Sequence, residues 1–181
     1  MHLSTLQHAA QVLKQGGIVA YATEYCFGLG CDPFNRDAVL RLLRLKQRPV
    51  KKGLIVLAAD QQQLHRYLEE IPASVSTTWP GPFTWLLTPR AKVPAWVRGK
   101  HAKIAVRVTA HAQAQALCRV AGMAIISTSA NRGGEMPARS YREVARRLGQ
   151  DVDCILQGKV GTAPAPTPIR DAASGKLIRV G

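Results

Sequence analysis

The polar side chains that could take part in chemistry lie at the last position of a predicted apolar strand or helix, or shortly after it. Lysine, arginine and hydroxyl groups in such positions can orient a phosphate group and neutralise its charge. In phosphoryl and nucleotidyl transfer these two effects supply most of the catalysis, so a protein nucleophile is not required. The pattern therefore favours a phosphate-binding site. The candidate residues are Thr23, Lys46, Arg48, Arg107, Ser127, Ser129 and Asn131.

Common signatures of nucleotide-binding proteins and hydrolases are missing from the sequence. The phosphate loop G-x-x-x-x-G-K-[ST] does not occur. The pair Gly28 and Gly30 lacks the third glycine of a dinucleotide-binding fingerprint, because Pro33 stands in its place. No Ser/His/Asp arrangement or pair of carboxylates stands out either. These observations argue against a P-loop, a Rossmann site and hydrolysis by carboxylates.

The chain is strongly basic, with 25 Lys and Arg residues against 11 Asp and Glu residues and a formal charge of +14. The excess is uneven, because residues 71–134 contain basic residues but no acidic one. Such a segment favours binding to anions, and phosphate-bearing partners are the natural candidates. A solvated basic surface is the plainer interpretation, and it stays open for any single residue.

Length and composition predict a single domain over residues 1–181, since 46% of the residues are apolar and they are spread along the chain. The cysteines have no C-x-x-C spacing and the histidines form no ligand pair, so we expect free thiols and no structural metal. The N-terminal segment is amphipathic and lacks a long apolar run, which predicts neither a signal peptide nor a membrane span. We therefore expect a cytoplasmic protein that does not associate with membranes.

Helical and strand periodicities alternate along the chain, which favours an α/β sheet with helices packed on it. Capping signals predict where three of the helices begin. Asn35 or Asp37 is expected to cap one helix and Asp60 another, and Ser140 with Glu143 has the spacing of a capping box at the start of a third.

Turn signals predict how the strands are connected. The glycines at positions 28 and 30 predict a turn after the buried strand at 18–22. Residues 127–131 are expected at the exit of a strand that begins at Met123. Residues 158–168, rich in Gly, Ala and Pro, predict a loop that can move, and the segments at 169–171 and 176–180 predict a closing hairpin.

Several short segments of the chain resemble the YrdC/TsaC family, and its short bacterial branch in particular. They occur in the family's order and with roughly its spacing, and the resemblance extends from about Leu6 to the end of the chain. The combination of K-x-R with S-x-N is the specific part, because either motif alone is common. The segments are YATEYCFGLG at 21–30, KQRP at 46–49, WPGP at 79–82 with Thr84, STSAN at 127–131, IRD at 169–171 and RVG at 179–181.

The resemblance implies a twisted, mixed α/β sheet around a deep basic cavity that binds ATP and L-threonine. Arg107 would present its forked guanidinium group to the threonine carboxylate. No residue is implied as a nucleophile or base. The implied ATP-binding residues are Lys46, Arg48, Lys103, Ser129, Asn131 and Arg179, and the implied threonine-binding residues are Thr23, Arg107, Ser127 and Thr167.

The resemblance also implies a reaction, that of a nucleotidyltransferase. L-threonine and bicarbonate form a carbamate, and its oxygen attacks the α-phosphate of ATP to give threonylcarbamoyl-AMP and pyrophosphate, with Mg²⁺ neutralising the leaving group. Partner proteins, the threonylcarbamoyl transferase complex, would then move the threonylcarbamoyl group to adenosine 37 of tRNA.

Two other functions remain open from the sequence. A basic concave surface could bind tRNA or double-stranded RNA, or assist ribosome maturation, without catalysis. No RNP motif appears, however, and aromatic residues make up only 6% of the chain. RNA binding could also coexist with catalysis on the rim of one cavity. A carbamoyl-transfer domain is the weaker alternative, because we see no accompanying zinc-finger or acylphosphatase region in the sequence.

Overall fold

The computed structural model describes the backbone of residues 3–180 and the side chains of residues 6–180. Within that range helices and strands alternate, as predicted. The helices are α1 (Leu3–Lys14), α2 (Arg36–Leu45), α3 (Ala73–Ser76), α4 (Ala95–Arg98), α5 (Ala112–Ala121) and α6 (Tyr141–Leu148). The strands are β1 (Val19–Ala22), β2 (Phe27–Gly30), β3 (Ile55–Ala58), β4 (Thr84–Leu87), β5 (Ile104–Val108), β6 (Ile125–Ser129), β7 (Cys154–Ile155), β8 (Ile169–Asp171) and β9 (Leu177–Arg179).

The strands of the described range form one sheet in the order β7-β1-β2-β6-β3-β5-β4-β8-β9. The pairs β1–β7, β3–β5 and β4–β8 are parallel, whereas the other neighbours are antiparallel. The predicted α/β class with a mixed sheet is therefore confirmed. Among the helices of residues 3–180, none combines the length and apolar character that crossing a bilayer requires.

Helices cover both faces of the sheet, so alternate strand residues enter different apolar layers. In β1, Val19 and Tyr21 belong to the layer that contains α1 and α5, whereas Ala20 and Ala22 belong to the layer that contains α2. All four are fully buried. A strand covered on both faces has a continuous apolar sequence, which is why the segment was recognisable as a buried strand.

Two helices begin at predicted caps. The Asn35 side chain accepts a hydrogen bond from the amide three residues on, at 3.0 Å, whereas Asp37 lies inside the first turn of α2. Ser140 caps α6 in the same way, and the Glu143 carboxylate reaches back to the amide before the cap. Each cap contributes about 1 kcal/mol. The cap of α2 also matters for position, because the helix ends at its C-cap residue Lys46.

The turn predicted at Gly28 to Gly30 is wrong, because these residues belong to β2, between β1 and β6. The chain reverses earlier, where both the amide and the hydroxyl of Thr23 donate to the Cys26 carbonyl. Glycine is needed in this strand for space. A Cβ atom at Gly30 would lie 2.8 Å from the Ile126 carbonyl oxygen and 2.9 Å from the Tyr21 ring, which is too close for any side chain.

The helix predicted after Asp60 is reduced to a 3₁₀ turn, Gln62–Leu64. Its N-cap is Gln61, and the predicted cap Asp60 lies one residue earlier, where its carboxylate accepts a hydrogen bond from the Gln63 amide at 3.1 Å. The chain then leaves helical geometry because Leu68 forms a β-bridge with Pro89. Pairing with the segment after β4 overrides the local helical spacing.

The predicted C-terminal hairpin is confirmed. β8 and β9 pair in antiparallel fashion across a turn in which Gly175 has a φ of +69°. The segment before the hairpin is bonded to the turn after β1, since the Gly161 amide donates to the Thr23 carbonyl at 2.9 Å and the Ala163 amide to the Glu24 carbonyl at 3.1 Å. The movement of the loop at 158–168 stays a prediction.

Candidate functional site

A cavity of about 380 Å³ lies between the ends of β1, β3, β5 and β6 and the C-terminal hairpin. Among the described residues that line it, six are Lys or Arg and one, Glu24, is acidic. This balance fits ligands that are mostly anionic. The six cationic residues are Arg48, Lys52, Arg98, Lys103, Arg107 and Arg179.

Strand register explains why polar side chains converge here. Leu57 of β3 pairs with Arg107 of β5, and Ile55 of β3 pairs with Ser127 of β6, so all four side chains are on one face of the sheet. Leu57 packs in the layer with α1 and α5, whereas Ile55 lines the cavity. The helices thus cover one end of this face and the cavity occupies the other. Ser127 and Ser129 lie within β6, which corrects their predicted placement at the strand exit.

The predicted threonine-binding residues meet at the inner end of the cavity, where each is only 7 or 8% exposed. Arg107 Nη1 donates to the Thr167 hydroxyl at 3.0 Å, and that hydroxyl is also 3.0 Å from the hydroxyl of buried Thr84. The Tyr21 hydroxyl donates to the Ser127 hydroxyl at 2.9 Å. These bonds hold the side chains in place without a ligand. The four residues are Thr23, Arg107, Ser127 and Thr167.

Glu24 and Arg107 form an ion pair in this inner end, with Oε2 of Glu24 3.2 Å from Nη2 of Arg107. The other carboxylate oxygen, Oε1, accepts a hydrogen bond from the Thr109 hydroxyl at 2.6 Å. Burial by itself would raise the pKa of Glu24, but Arg107 and the Thr109 hydrogen bond outweigh it and hold the pKa below its ordinary value. The carboxylate is therefore ionised at neutral pH. Two buried atoms of the pair, Oε2 of Glu24 and Nε of Arg107, have no hydrogen-bond partner among the described residues.

The arginines at the outer end of the cavity are more exposed and bond to main-chain carbonyls. Arg48 donates to the Gly53 carbonyl from Nε at 3.2 Å and from Nη2 at 2.8 Å. Arg179 donates from Nη2 to the Thr167 carbonyl at 2.8 Å. Burial, followed by repulsion from Arg107 and Arg48, lowers the pKa of Arg179. The three guanidinium groups line the same cavity and repel one another, so an anion bound there would relieve the repulsion.

Lys103 also lines the cavity but already has a charged partner. Its Nζ lies 2.6 Å from Oδ2 of Asp171 in the hairpin. The hydrogen bond from Lys103, with others from Ser174, lowers the pKa of Asp171 to about 2. Lys103 thus connects β5 to β8, and part of its charge is matched before any ligand binds.

Lys46 lies behind the cavity wall and holds the S-x-N segment together. Its Nζ is within hydrogen-bonding distance of four oxygen atoms, the carbonyl and side-chain oxygens of Ser129 and Asn131. Burial, followed by the charge of Arg48, lowers the pKa of Lys46 to about 8. Gln47 between the two cations has a left-handed φ of +50°, which is unfavourable for a residue with a side chain. Through this turn Lys46 bonds to the S-x-N segment while Arg48 lines the cavity.

Eight of the ten predicted site residues line the cavity. The other two, Lys46 and Asn131, are not among its described lining residues but contact Ser129, which is. Which ligand each of the ten binds stays a prediction. Sequence reasoning missed Glu24, and no local signal separates it from Asp32 and Asp60, which also lie two residues after a strand.

Comparison with known proteins identifies the family. A family profile named for Sua5, YciO and YrdC, with the description "Telomere recombination", matches residues 11–181. The chain belongs to the Sua5/YciO/YrdC family. The resemblance found from short sequence segments is therefore confirmed.

Curated members of the Sua5/YciO/YrdC family match the chain over nearly its whole length. A protein of Halorhodospira halophila named threonylcarbamoyl-AMP synthase is 51% identical over 178 residues, which are 96% of this chain and 93% of that protein. A protein of the same name from Nitrosococcus oceani is 48% identical over 175 residues, 94% of this chain and 95% of that protein.

Solved structures of the family share the fold. P. abyssi Sua5 complexed with L-threonine has a TM-score of 0.90 and 30% identity, and the match covers 96% of this chain and 53% of that one. E. coli YciO has a TM-score of 0.85 and 25% identity, with coverage of 99% and 89%. The chain thus spans about half the length of P. abyssi Sua5.

Proposed function

We propose that this member of the Sua5/YciO/YrdC family is a threonylcarbamoyl-AMP synthase. It would join L-threonine, bicarbonate and ATP, and release threonylcarbamoyl-AMP, pyrophosphate and water. Relatives with 51 and 48% identity carry this name, and P. abyssi Sua5 binds L-threonine. ATP is then a substrate, and the enzyme is a nucleotidyltransferase.

The observation that supports this function best is the division of one cavity into a buried inner end and a more exposed, cationic outer end. At the inner end, the hydroxyls of Ser127 and Thr167 and the guanidinium group of Arg107 can bind the polar groups of a small hydroxy amino acid. At the outer end, Arg48 and Arg179 can bind a polyphosphate. Adenylation of a carbamate requires both ligands side by side, since the carbamate oxygen must reach the α-phosphorus.

In the proposed mechanism the inner end binds and orients threonine. Arg107 takes the carboxylate in a bidentate contact, and the hydroxyls of Thr23, Ser127 and Thr167 surround the remainder of the molecule. The α-ammonium group loses a proton to solvent, and the resulting amine combines with bicarbonate to give the carbamate and water. Because threonine is held by its other groups, the new carbamate points towards the nucleotide.

The outer end receives the triphosphate. Arg48, Lys103 and Arg179 balance its charge, and Ser129 and Asn131, positioned by Lys46, contact the nucleotide. The carbamate oxygen forms a bond to the α-phosphorus, and the bond to the bridging oxygen breaks as pyrophosphate leaves. No side chain acts as nucleophile or base in this proposal, so the rate enhancement comes from positioning and charge neutralisation.

The residues of the cavity do not fit a magnesium ion held by the protein. No group of three or more His, Cys, Asp or Glu side chains in residues 6–180 is arranged to hold a metal. The carboxylate in the cavity wall, Glu24, already contacts Arg107 and Thr109. We propose that Mg²⁺ arrives with ATP, bound by phosphate oxygens and water, and we assign it no step on the protein.

The proposed product has consequences for location and partners. A carbamoyl-phosphate anhydride reacts with water, so a cytoplasmic transferase complex that accepts it directly would limit its loss. That complex would transfer the threonylcarbamoyl group to adenosine 37 of tRNA. The basic rim of the cavity could contact tRNA during the transfer.

The test is a pyrophosphate-release assay with ATP, Mg²⁺ and bicarbonate, with and without L-threonine, and with mass-spectrometric detection of threonylcarbamoyl-AMP. We expect release to depend on both threonine and bicarbonate. Release that is absent or independent of threonine would contradict the proposal, and RNA binding in a gel-shift assay would then support the alternative of a non-catalytic RNA-binding protein. Arg119→Gln is the matched control, because it removes one exposed charge from α5, outside the cavity, and should retain the wild-type rate.

A further inference from the structure

Glu24 has an unusual place in the proposed mechanism. It is the single carboxylate among the described residues that line the cavity, against six lysine and arginine side chains. ATP, bicarbonate and the threonine carboxylate are anions, so an ionised Glu24 repels most of what the cavity would bind. The α-ammonium group of threonine is the one cationic group among these three substrates.

Hydrogen bonding around Glu24 leaves one of its oxygen atoms available. Oε1 is anchored by the buried Thr109 hydroxyl, which is itself fixed because it accepts a hydrogen bond from the His111 amide at 3.1 Å. Oε2 accepts no hydrogen bond from the described residues, although it lies 3.2 Å from Nη2 of Arg107. A buried acceptor without a donor costs about 1 to 3 kcal/mol, so a ligand that supplies the donor is stabilised.

The other unbonded atom of this ion pair is of the opposite kind. Nε of Arg107 is a buried donor that lacks an acceptor among the described residues. An α-amino acid carries a donor, its ammonium group, and an acceptor, its carboxylate, on the same carbon atom. A zwitterion placed beside the pair would therefore supply both missing partners at once.

We propose that Glu24 determines specificity in the threonine site, with Oε2 accepting a hydrogen bond from the α-amino nitrogen while Arg107 binds the α-carboxylate. This inference rests on the proposed function. Both residues line the cavity, so a ligand there lies beside the pair, and a small shift of the Arg107 guanidinium group that keeps its bond to Thr167 opens Oε2 to the ligand. The contact persists through carbamate formation, because the carbamate nitrogen keeps one N–H.

A purely structural role for Glu24 makes a different prediction. If the carboxylate only held Arg107 in position, its loss would weaken every ligand that Arg107 binds, whether or not the ligand has an amino group. If Oε2 accepts from the α-nitrogen, its loss weakens only ligands with that group. A ligand that lacks the amine therefore separates the two roles.

The test compares L-threonine with (3R)-3-hydroxybutyrate, in which hydrogen replaces the ammonium group and no donor remains on the α-carbon. Binding is measured by calorimetry without bicarbonate, on protein saturated with α,β-methylene-ATP, whose α–β bridge is not cleaved. We expect the wild type to prefer threonine by roughly ten- to a hundredfold, as for a hydrogen bond between charged groups. In Glu24→Gln threonine should lose most of that factor, whereas the hydroxy acid should bind within about threefold of its wild-type affinity.

Equal weakening of both ligands in Glu24→Gln would overturn the proposal in favour of the structural role. Equal affinity of the two ligands for the wild type would overturn it without any variant, so the test does not depend on Glu24→Gln folding. Glu24→Asp, which keeps the charge but withdraws it by one methylene group, should show an intermediate preference. Glu69→Gln, which removes an exposed carboxylate outside the cavity, should show the wild-type preference.

Failure of this inference is distinguishable from failure of the proposed function. Pyrophosphate release by the wild type is measured first, and its independence of threonine would contradict the synthase activity. Threonine-dependent release combined with an unchanged ligand preference in Glu24→Gln would contradict only the role of Glu24.

Discussion

The two ends of the cavity present polar groups in different ways. At the inner end, Arg107 and Thr167 are 7 and 8% exposed and are bonded to other buried side chains. At the outer end, Arg48 is half-buried and Arg179 is exposed, and both donate to main-chain carbonyls. A small zwitterion must be held by fixed, dry contacts, whereas a triphosphate can be attracted by several cations that share its charge.

This difference predicts how each end of the cavity responds when a single side chain is substituted. A buried network loses its function when one member is removed, because the partners left behind are desolvated and unpaired. A set of partly exposed cations loses affinity in small steps, since water and the remaining cations compensate. The following predictions test this contrast.

The largest effect is expected from Arg107→Ala. The free energy of unfolding should fall by about 3 to 5 kcal/mol because Glu24 is left buried without its partner, and the threonine-dependent kcat/KM should fall by roughly a thousandfold. Urea denaturation and pyrophosphate release measure the two effects. The double variant Arg107→Met with Glu24→Gln should recover stability but not activity. Activity of Arg107→Ala within tenfold of the wild type would show that the inner end is not a cooperative network.

Lys46→Met should have the next largest effect. Lys46 is predicted to serve the ATP site, at the outer end of the cavity, but its side chain is as buried as the residues of the inner end. Removing its ammonium group leaves the oxygens of Ser129 and Asn131 without their donor, so we expect a loss of about 1 to 3 kcal/mol in stability and roughly a hundredfold in kcat/KM for ATP. An effect on ATP without any effect on stability would indicate that Lys46 contacts the phosphates directly.

Because the pKa of Lys46 is lowered, the stability difference between the wild type and Lys46→Met should depend on pH. Because the folded-state pKa is about 8 and the ordinary value is 10.5, the unfolded chain binds more protons between these two values. The wild type should therefore gain stability relative to Lys46→Met as the pH rises from 8 to 10, whereas the difference should be constant below pH 7. Urea denaturation of both proteins at several pH values measures it. A pH-independent difference would contradict the lowered pKa.

Arg48→Gln and Arg179→Gln should have smaller effects. Each should raise the KM for ATP by about tenfold, which corresponds to 1.4 kcal/mol, and leave the KM for threonine within twofold. Initial rates at varied ATP and varied threonine measure both constants. The control Arg119→Gln should change neither. A thousandfold loss from either single change would mean that the outer end is as cooperative as the inner one.

The smallest effect is expected from salt. Raising the salt concentration from about 0.05 to 0.5 M shortens the Debye length from more than 10 Å to a few Å, so exposed cations are screened and buried ones much less. The KM for ATP should rise by a few fold while the KM for threonine stays nearly constant. Parallel changes in both constants would remove the distinction between the two ends.

The sequence predicted the parts of the fold and site that depend on local patterns. β1 and the cap at Asn35 were recognisable because apolar runs and short polar caps act within a few residues. Lys46 and Arg48 were found because their motif is contiguous. The burial of Lys46 was not predictable, because it follows from Ser129 and Asn131, which are distant in sequence.

The errors have a common cause in long-range packing. The glycines at positions 28 and 30 predict a turn because glycine commonly allows one, yet the missing side chain of Gly30 makes room for the Tyr21 ring and the Ile126 carbonyl. The helix after Asp60 was cut short by a strand-like bridge between Leu68 and Pro89. Glu24 was overlooked because its significance depends on Arg107, which lies on a different strand.

The hydrogen bonds from Gly161 and Ala163 to the carbonyls of Thr23 and Glu24 join the segment after β7 to the turn after β1. A ribosome adds roughly 5 to 20 residues per second and releases the N-terminus first. The inner end of the cavity consequently stays open on one side until the segment after β7 has been synthesised. A chain truncated after β7 would keep most of the sheet but lack the segment that encloses the substrate-binding cavity. We therefore expect truncated chains to be inactive.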